Sequence, residues 1–226
     1  VNIAKRFGAV TGLAGLSQPA LVLGLTLVLA GHTERRTGTS LVSRRPGYFL
    51  LLFPVSALLG WLFHWLNLYL QLWVYPGAGA ESAIPYVLVR TLDYATLLPA
   101  LLVLRQWLAS WRTLLLCWGR ARPLGREDAA GGGLTWTALA LAGLGLAGAA
   151  VWPDWIWPLA WCAPLLLVLG LQRSGVGPGL FAGIPRGDWS RLLITALAAL
   201  LLGLLIQGWN SLMGPVWVFQ LPLIGA

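Results

Sequence analysis

The sequence predicts an all-α protein, a polytopic transmembrane helical bundle of about six spans with a parallel internal repeat and one interfacial amphipathic helix. Three observations lead there. The 226 residues are 58% hydrophobic and 10% charged, with a mean hydropathy of +0.77, a balance that belongs to membrane proteins. Several charge-free stretches reach the roughly 20 apolar residues needed to cross a hydrocarbon core of about 30 Å. Many of the 14 Trp residues cluster near the ends of those stretches, at Trp61, Trp65 and Trp73, at Trp152, Trp155 and Trp157, and at Trp209 and Trp217, as in an aromatic belt.

The spans are expected at about 10–31, 47–74, 84–104, 134–152, 155–172 and 190–213. Pro153 and Asp154, between Trp152 and Trp155, turn the fourth into the fifth. Arg35, Arg36, Arg44 and Arg45 follow the first span; Arg105, Arg112, Arg120, Arg122 and Arg126 follow the third; Arg173, Arg186 and Arg191 follow the fifth. Short loops rich in Arg stay in the cytoplasm, so loops 32–46, 105–133 and 173–191 are expected there. The opposite loops carry Glu81 and Asp154 and no base, although Lys5 and Arg6 sit on the wrong side for this scheme. The formal charge of +8 therefore reads as membrane topology. Without a basic face interleaved with aromatics outside the membrane, no nucleic-acid partner is expected; membrane lipids and other membrane protein subunits are.

Residues 105–118 differ from a span. Trp107, Leu108, Trp111, Leu114, Leu115 and Trp118 recur at helical spacing, with Arg105, Gln106, Ser110, Arg112 and Thr113 on the other side, the pattern of an interfacial amphipathic helix. The stretch from Pro123 to Gly133 is polar, then Gly-rich, and reads as a flexible boundary. The fourth span carries Ala138 with Ala142 and Gly143 with Ala147, each four apart. Small residues at that spacing let backbones approach closely, which suits internal packing or a docking face for another membrane subunit.

A self-match joins the second and sixth spans. Leu58, Leu59, Gly60, Trp61, Leu62, Phe63, His64, Trp65, Leu66 and Asn67 parallel Leu201, Leu202, Gly203, Leu204, Leu205, Ile206, Gln207, Gly208, Trp209 and Asn210. With one residue inserted in the second copy, Trp73, Val74 and Tyr75 match Trp217, Val218 and Phe219. Upstream, Gly38 to Leu41 parallels Gly177 to Leu180. Spans four apart cross in the same direction, so the repeat is parallel. The organisation expected is a first repeat over 1–104, the interfacial helix and linker over 105–133, and a second repeat over 134–226. The second copy lacks a counterpart of the third span, so the natural chain is expected to continue past Ala226.

These features, with the segment Thr91 to Ala100, resemble an uncharacterised family of bacterial multi-pass, Trp-rich membrane proteins with an internal duplication. The resemblance covers most of 20–104 and 160–226. It departs from that family where an acidic residue of the aromatic-Asn motif is replaced by His64 and Gln207. It implies architecture and a bacterial inner (cytoplasmic) membrane, and no activity.

The residues that could carry chemistry are few. Asn67 and Asn210 could bridge the repeats or bind a ligand between them, with His64 and Gln207 beside them. His64 also suits a quinone or haem contact, but its counterpart Gln207 neither titrates nor ordinarily binds iron. Arg90 and Asp93 share a helix face at i,i+3 inside the third span, where an unpaired charge costs at least about 2.5–3.5 kcal/mol; the Arg90 stem is long enough to snorkel. Cys117 and Cys162 read as packing residues. Gly15, Leu16, Ser17 and Gln18 offer only Gly-x-Ser, with no base or oxyanion donor placed beside it. No phosphate loop, HExxH or paired-carboxylate motif occurs in the sequence. The expectation is a non-catalytic membrane scaffold or accessory subunit without metal or dedicated cofactor. Its rival is a transporter or binder of a lipid, quinone or pigment at the repeat interface.

Overall fold

The computed structural model describes residues 16–76, 83–119, 122–123, 132–176, 181–213 and 216–220. The start of the first expected span, Lys5 and Arg6, Glu81, Arg120 and Arg126, most of the Gly-rich boundary, Gly177 to Leu180 and residues 221–226 lie outside them. Among the described residues, four helical stretches are long and apolar enough to cross a membrane: Pro46–Leu70, Ile84–Ala109, Pro153–Arg173 and Ser190–Leu212. They match the second, third, fifth and sixth expected spans. The described part of the first forms helix α1, Ser17–Thr37, which starts at Ser17 and Gln18 and ends in charged residues. The fourth forms a shorter apolar helix, Gly133–Gly148. Their outward faces are apolar, as at Leu58, Ile84 and Leu212, which suits a lipid solvent.

The chain divides into two compact units that do not follow the order of its halves: Val1–Leu62 with Trp73–Arg112 and Ile194–Gln220, and Phe63–Leu72 with Thr113–Leu193 and Leu221–Ala226. In the first, α1 buries Pro19, Val22, Thr26, Ala30 and Thr33, a stripe with helical spacing, and packs on a later helix, α5 (Leu97–Ala109). Its two buried threonines donate to their own helix, Thr26 to the Val22 carbonyl at 2.7 Å and Thr33 to the Leu29 carbonyl at 2.8 Å, so no polar group is stranded. Gly38, at φ 78°, ends α1 in the left-handed region that glycine adopts without strain. A single turn, α2 (Leu41–Arg44), follows with a capping box between Ser40 and Ser43. Helix α3, Pro46–Leu70, starts on a proline whose missing N–H costs nothing at that position. Ala30, Phe49, Leu52 and Val103 form a buried core cluster, with Leu29, Leu41, Val42, Phe53, Leu98 and Leu102 packed around it.

The third span is interrupted at Thr96. Helix α4, Ala83–Ala95, gives way to α5 after Thr96. Pro99 has no N–H for the Ala95 carbonyl, and the Ser56 hydroxyl of α3 enters the ladder beside it, accepting from the Leu98 N–H at 2.9 Å and donating to the Tyr94 carbonyl. An inserted side chain of this kind interrupts a helix while leaving its backbone groups bonded.

The amphipathic pattern over 105–118 spans two helices. Residues 105–109 complete α5, which stops at Ser110 because its N–H bonds both the Gln106 and Trp107 carbonyls and its hydroxyl bonds Trp107 again. A separate, mostly exposed helix α6, Arg112–Trp118, follows. Trp107 thus lies on the long helix, Trp111 in the break and Trp118 on α6.

In the second unit, α7 (Gly132–Gly148) packs on α8 (Pro153–Arg173). The turn between them bonds the Trp152 N–H to the Gly148 carbonyl at 2.8 Å. A Cβ on Gly145 would lie 2.8 Å from the Leu159 carbonyl oxygen, so glycine there permits close backbone approach. Ala138, Ala142 and Ala149 lie buried on the same face as Gly145. A 3₁₀ turn over Ile184–Arg186 precedes α9, Ser190–Leu212.

The second span was expected to remain helical to residue 74, but α3 ends at Leu70, with Gln71 at φ 47°. Beyond it, β1 (Trp73–Val74) pairs antiparallel with β2 (Val218–Phe219), placing Trp73 opposite Phe219 and Val74 opposite Val218.

Candidate functional site

Two sets of polar residues stand out, and they do different things. The first is the aromatic-Asn motif. Asn67 Oδ1 accepts the Leu72 N–H at 2.9 Å, which turns the chain out of α3 towards Trp73. Asn210 Oδ1 accepts the Val216 N–H at 2.8 Å and the Trp217 N–H at 3.3 Å, while its Nδ2 donates to the Trp217 carbonyl at 3.0 Å. Leu72 and Val216 each immediately precede the matched tryptophan. Each amide therefore fastens the exit of its own helix. His64 is half-buried and Gln207 exposed.

The second set surrounds the intramembrane ion pair of α4. Arg90 Nη1 donates to Asp93 Oδ2 at 2.8 Å, and the two residues are 6% and 4% exposed. Arg90 does not snorkel. Its guanidinium carbon lies 4.8 Å from the Tyr75 ring centroid and 5.8 Å from that of Tyr86, positions in which ring faces attract a cation. The Tyr75 and Tyr94 hydroxyls are 3.0 Å apart, and Trp61 meets Tyr94 edge-on at 5.6 Å while its indole donates to Thr91 at 3.0 Å. Thr96 caps the turn by donating to the Asp93 carbonyl at 3.0 Å. Arg90 Nε and Asp93 Oδ1 are buried without a hydrogen-bond partner among the described residues.

A third feature is tight packing at Gly60, where a Cβ would fall 2.3 Å from Tyr94 Cβ. At Gly203, its match in the repeat, nothing lies within 4 Å.

The spacing of Arg90 and Asp93 is visible in the sequence. Tyr75, Tyr86 and Ser56 were missed; Tyr75 joins the site because the chain leaving α3 returns beside α4, and Ser56 looks like any hydroxyl in an apolar helix.

The four residues expected on a docking face separate. Ala138 and Ala142 are 3% and 1% exposed, on the face that packs within the chain, whereas Gly143 and Ala147 are exposed. Helical geometry explains the difference, because 138, 142, 145 and 149 share one face and 143 and 147 another. Among the described residues no three His, Cys, Asp or Glu side chains converge as metal ligands. No protein-family model, curated protein or solved structure matches the chain.

Proposed function

We propose that this chain is a non-catalytic integral membrane scaffold or accessory subunit, built from two copies of one helical unit and docking other membrane protein subunits. The observation that carries the subunit reading is the outer face of α7. Gly143 and Ala147 are exposed one turn apart, and nothing lies within 4 Å of a Cβ built on Gly143. In lipid no hydrophobic drive brings helices together, so association relies on such smooth faces. The duplication is supported by the equivalent bonds of Asn67 and Asn210, and by a strand register that pairs Val74 with its own counterpart, Val218. The membrane we assign is the bacterial inner membrane, with loops 32–46, 105–133 and 173–191 in the cytoplasm.

Native gel migration after gentle solubilisation tests the reading. The wild type is expected in a larger species, and Gly143→Leu with Ala147→Leu should release it as a monomer without unfolding it. A wild-type chain that migrates alone would overturn the proposal.

A second reading, a binder or carrier of a lipid, quinone or pigment, draws on the unpartnered Arg90 Nε and Asp93 Oδ1 within their aromatic surround. Solvent extraction of purified protein, followed by mass spectrometry, should then yield one lipophile in stoichiometric amount.

A further inference from the structure

At one end of the first unit, the turn between α1 and α3 is tied to the end of α5. The Leu41 N–H donates to Gln106 Oε1 at 2.7 Å. The Trp107 indole donates to His32 Nδ1 at 2.8 Å. The Arg36 guanidinium lies 4.1 Å from the Trp111 ring centroid and reaches the Ser110 carbonyl at 3.5 Å. These contacts gather Arg35, Arg36, Arg44, Arg45, Arg105 and Arg112 from two distant stretches of sequence. All are exposed except Arg105, which is half-buried. The one carboxylate within 32–46 and 105–112 is Glu34, and its Oε2 accepts the Ser43 hydroxyl. Trp107 and Trp111 pack edge to face at 5.8 Å, and indoles favour the depth at which apolar chains meet headgroups.

We propose that this arginine and tryptophan surface docks the anionic headgroups of phospholipids in the leaflet it reaches. Charge complementarity selects the occupant. Five exposed arginines and the half-buried Arg105 stand beside one internally bonded carboxylate, and the planar guanidinium matches a phosphate with two parallel donors. The tryptophans set the surface at headgroup depth, where a basic residue gains about 1 kcal/mol from an anionic leaflet. This partner differs from the protein partner assigned to α7, so either assignment can fail alone.

The test is native mass spectrometry of the intact protein titrated with phosphatidylglycerol or phosphatidylcholine in detergent. Phosphatidylglycerol is expected to be retained in preference. Arg36→Gln with Arg112→Gln should weaken its retention about 25-fold, about fivefold for each arginine. Arg122→Gln with Arg173→Gln, which removes the same charge from outside this arginine and tryptophan set, should change it less. Arg36→Lys with Arg112→Lys keeps the charge and should keep most of the binding. Equal retention of the two lipids would overturn the proposal, as would equal losses in the two glutamine pairs or full loss in the folded lysine pair. Displacement of the lipid by glycerol phosphate or a short oligonucleotide would assign the surface to soluble polyanions and overturn it too.

Discussion

Arg90 and Asp93 carry opposite charges one turn apart and both are buried, and removing one partner leaves the other as an uncompensated buried charge. Asp93→Ala should therefore destabilise the protein by about 3–5 kcal/mol, whereas Arg90→Met with Asp93→Leu should recover most of that loss. Thermal unfolding in detergent, arranged as a double-mutant cycle, reads the difference; a double variant as unstable as Asp93→Ala would show that the pair is not the unit. Gly60 and Gly203 provide a second comparison. Gly60→Ala drives a methyl into Tyr94 and should cost about 1–3 kcal/mol. Gly203→Ala meets open space and should be neutral or stabilising by up to about 1 kcal/mol. The i,i+3 spacing of Arg90 and Asp93 was legible in the sequence, but the two glycines read alike there. What separates them is Tyr94, more than thirty residues from one and a hundred from the other along the chain.

Helix ends and breaks depend on single polar side chains. Ser56 supplies both halves of a backbone bond that the α4 to α5 break would otherwise lose. Ser56→Ala should cost about 1–3 kcal/mol, with faster amide exchange at Leu98 as the local signature. Protection at Leu98 unchanged in that variant would mean that the helix closes the gap itself. At the end of α1, the Ser43 hydroxyl bonded to Glu34 holds that carboxyl below its ordinary pKa, with Ser40 adding to the effect. A depressed carboxyl pKa stabilises the folded state fully above its unfolded value, and the contribution disappears as pH falls through the folded value. The turn over Gly38 to Ser43 should therefore keep its exchange protection at neutral pH and lose part of it in acid below the ordinary carboxylate range. Glu34→Gln should flatten that dependence. The sequence showed Pro99 and the Trp periodicity after Arg105, yet the third span read as one uninterrupted stretch over 84–104 and the interfacial helix as continuous. A proline marks a missing bond without naming the neighbour that replaces it, and periodicity passes across a break as short as Ser110 and Trp111.

Across the molecule, hydropathy located lipid-facing length well. Four expected spans are helices able to cross a membrane, and the turn at Trp152 and Pro153 falls where the residues place it. What escaped the sequence is pairing between distant segments. Alternation over two residues carries no usable signal, so the strands at Trp73 and Val218 were read as the end of a helix and an aromatic exit. Their register constrains how the protein is made. Every described helix precedes β2 in chain order, so when the ribosome has released Trp73 and Val74 their hydrogen-bonding partners do not yet exist. The Trp73–Val74 strand must wait, with its edge unpaired, until α9 has been made and Val218 follows it. Closure of this clasp therefore follows the synthesis of α9, and a chain stalled before residue 218 would present that edge to whatever chaperone or insertase is holding it.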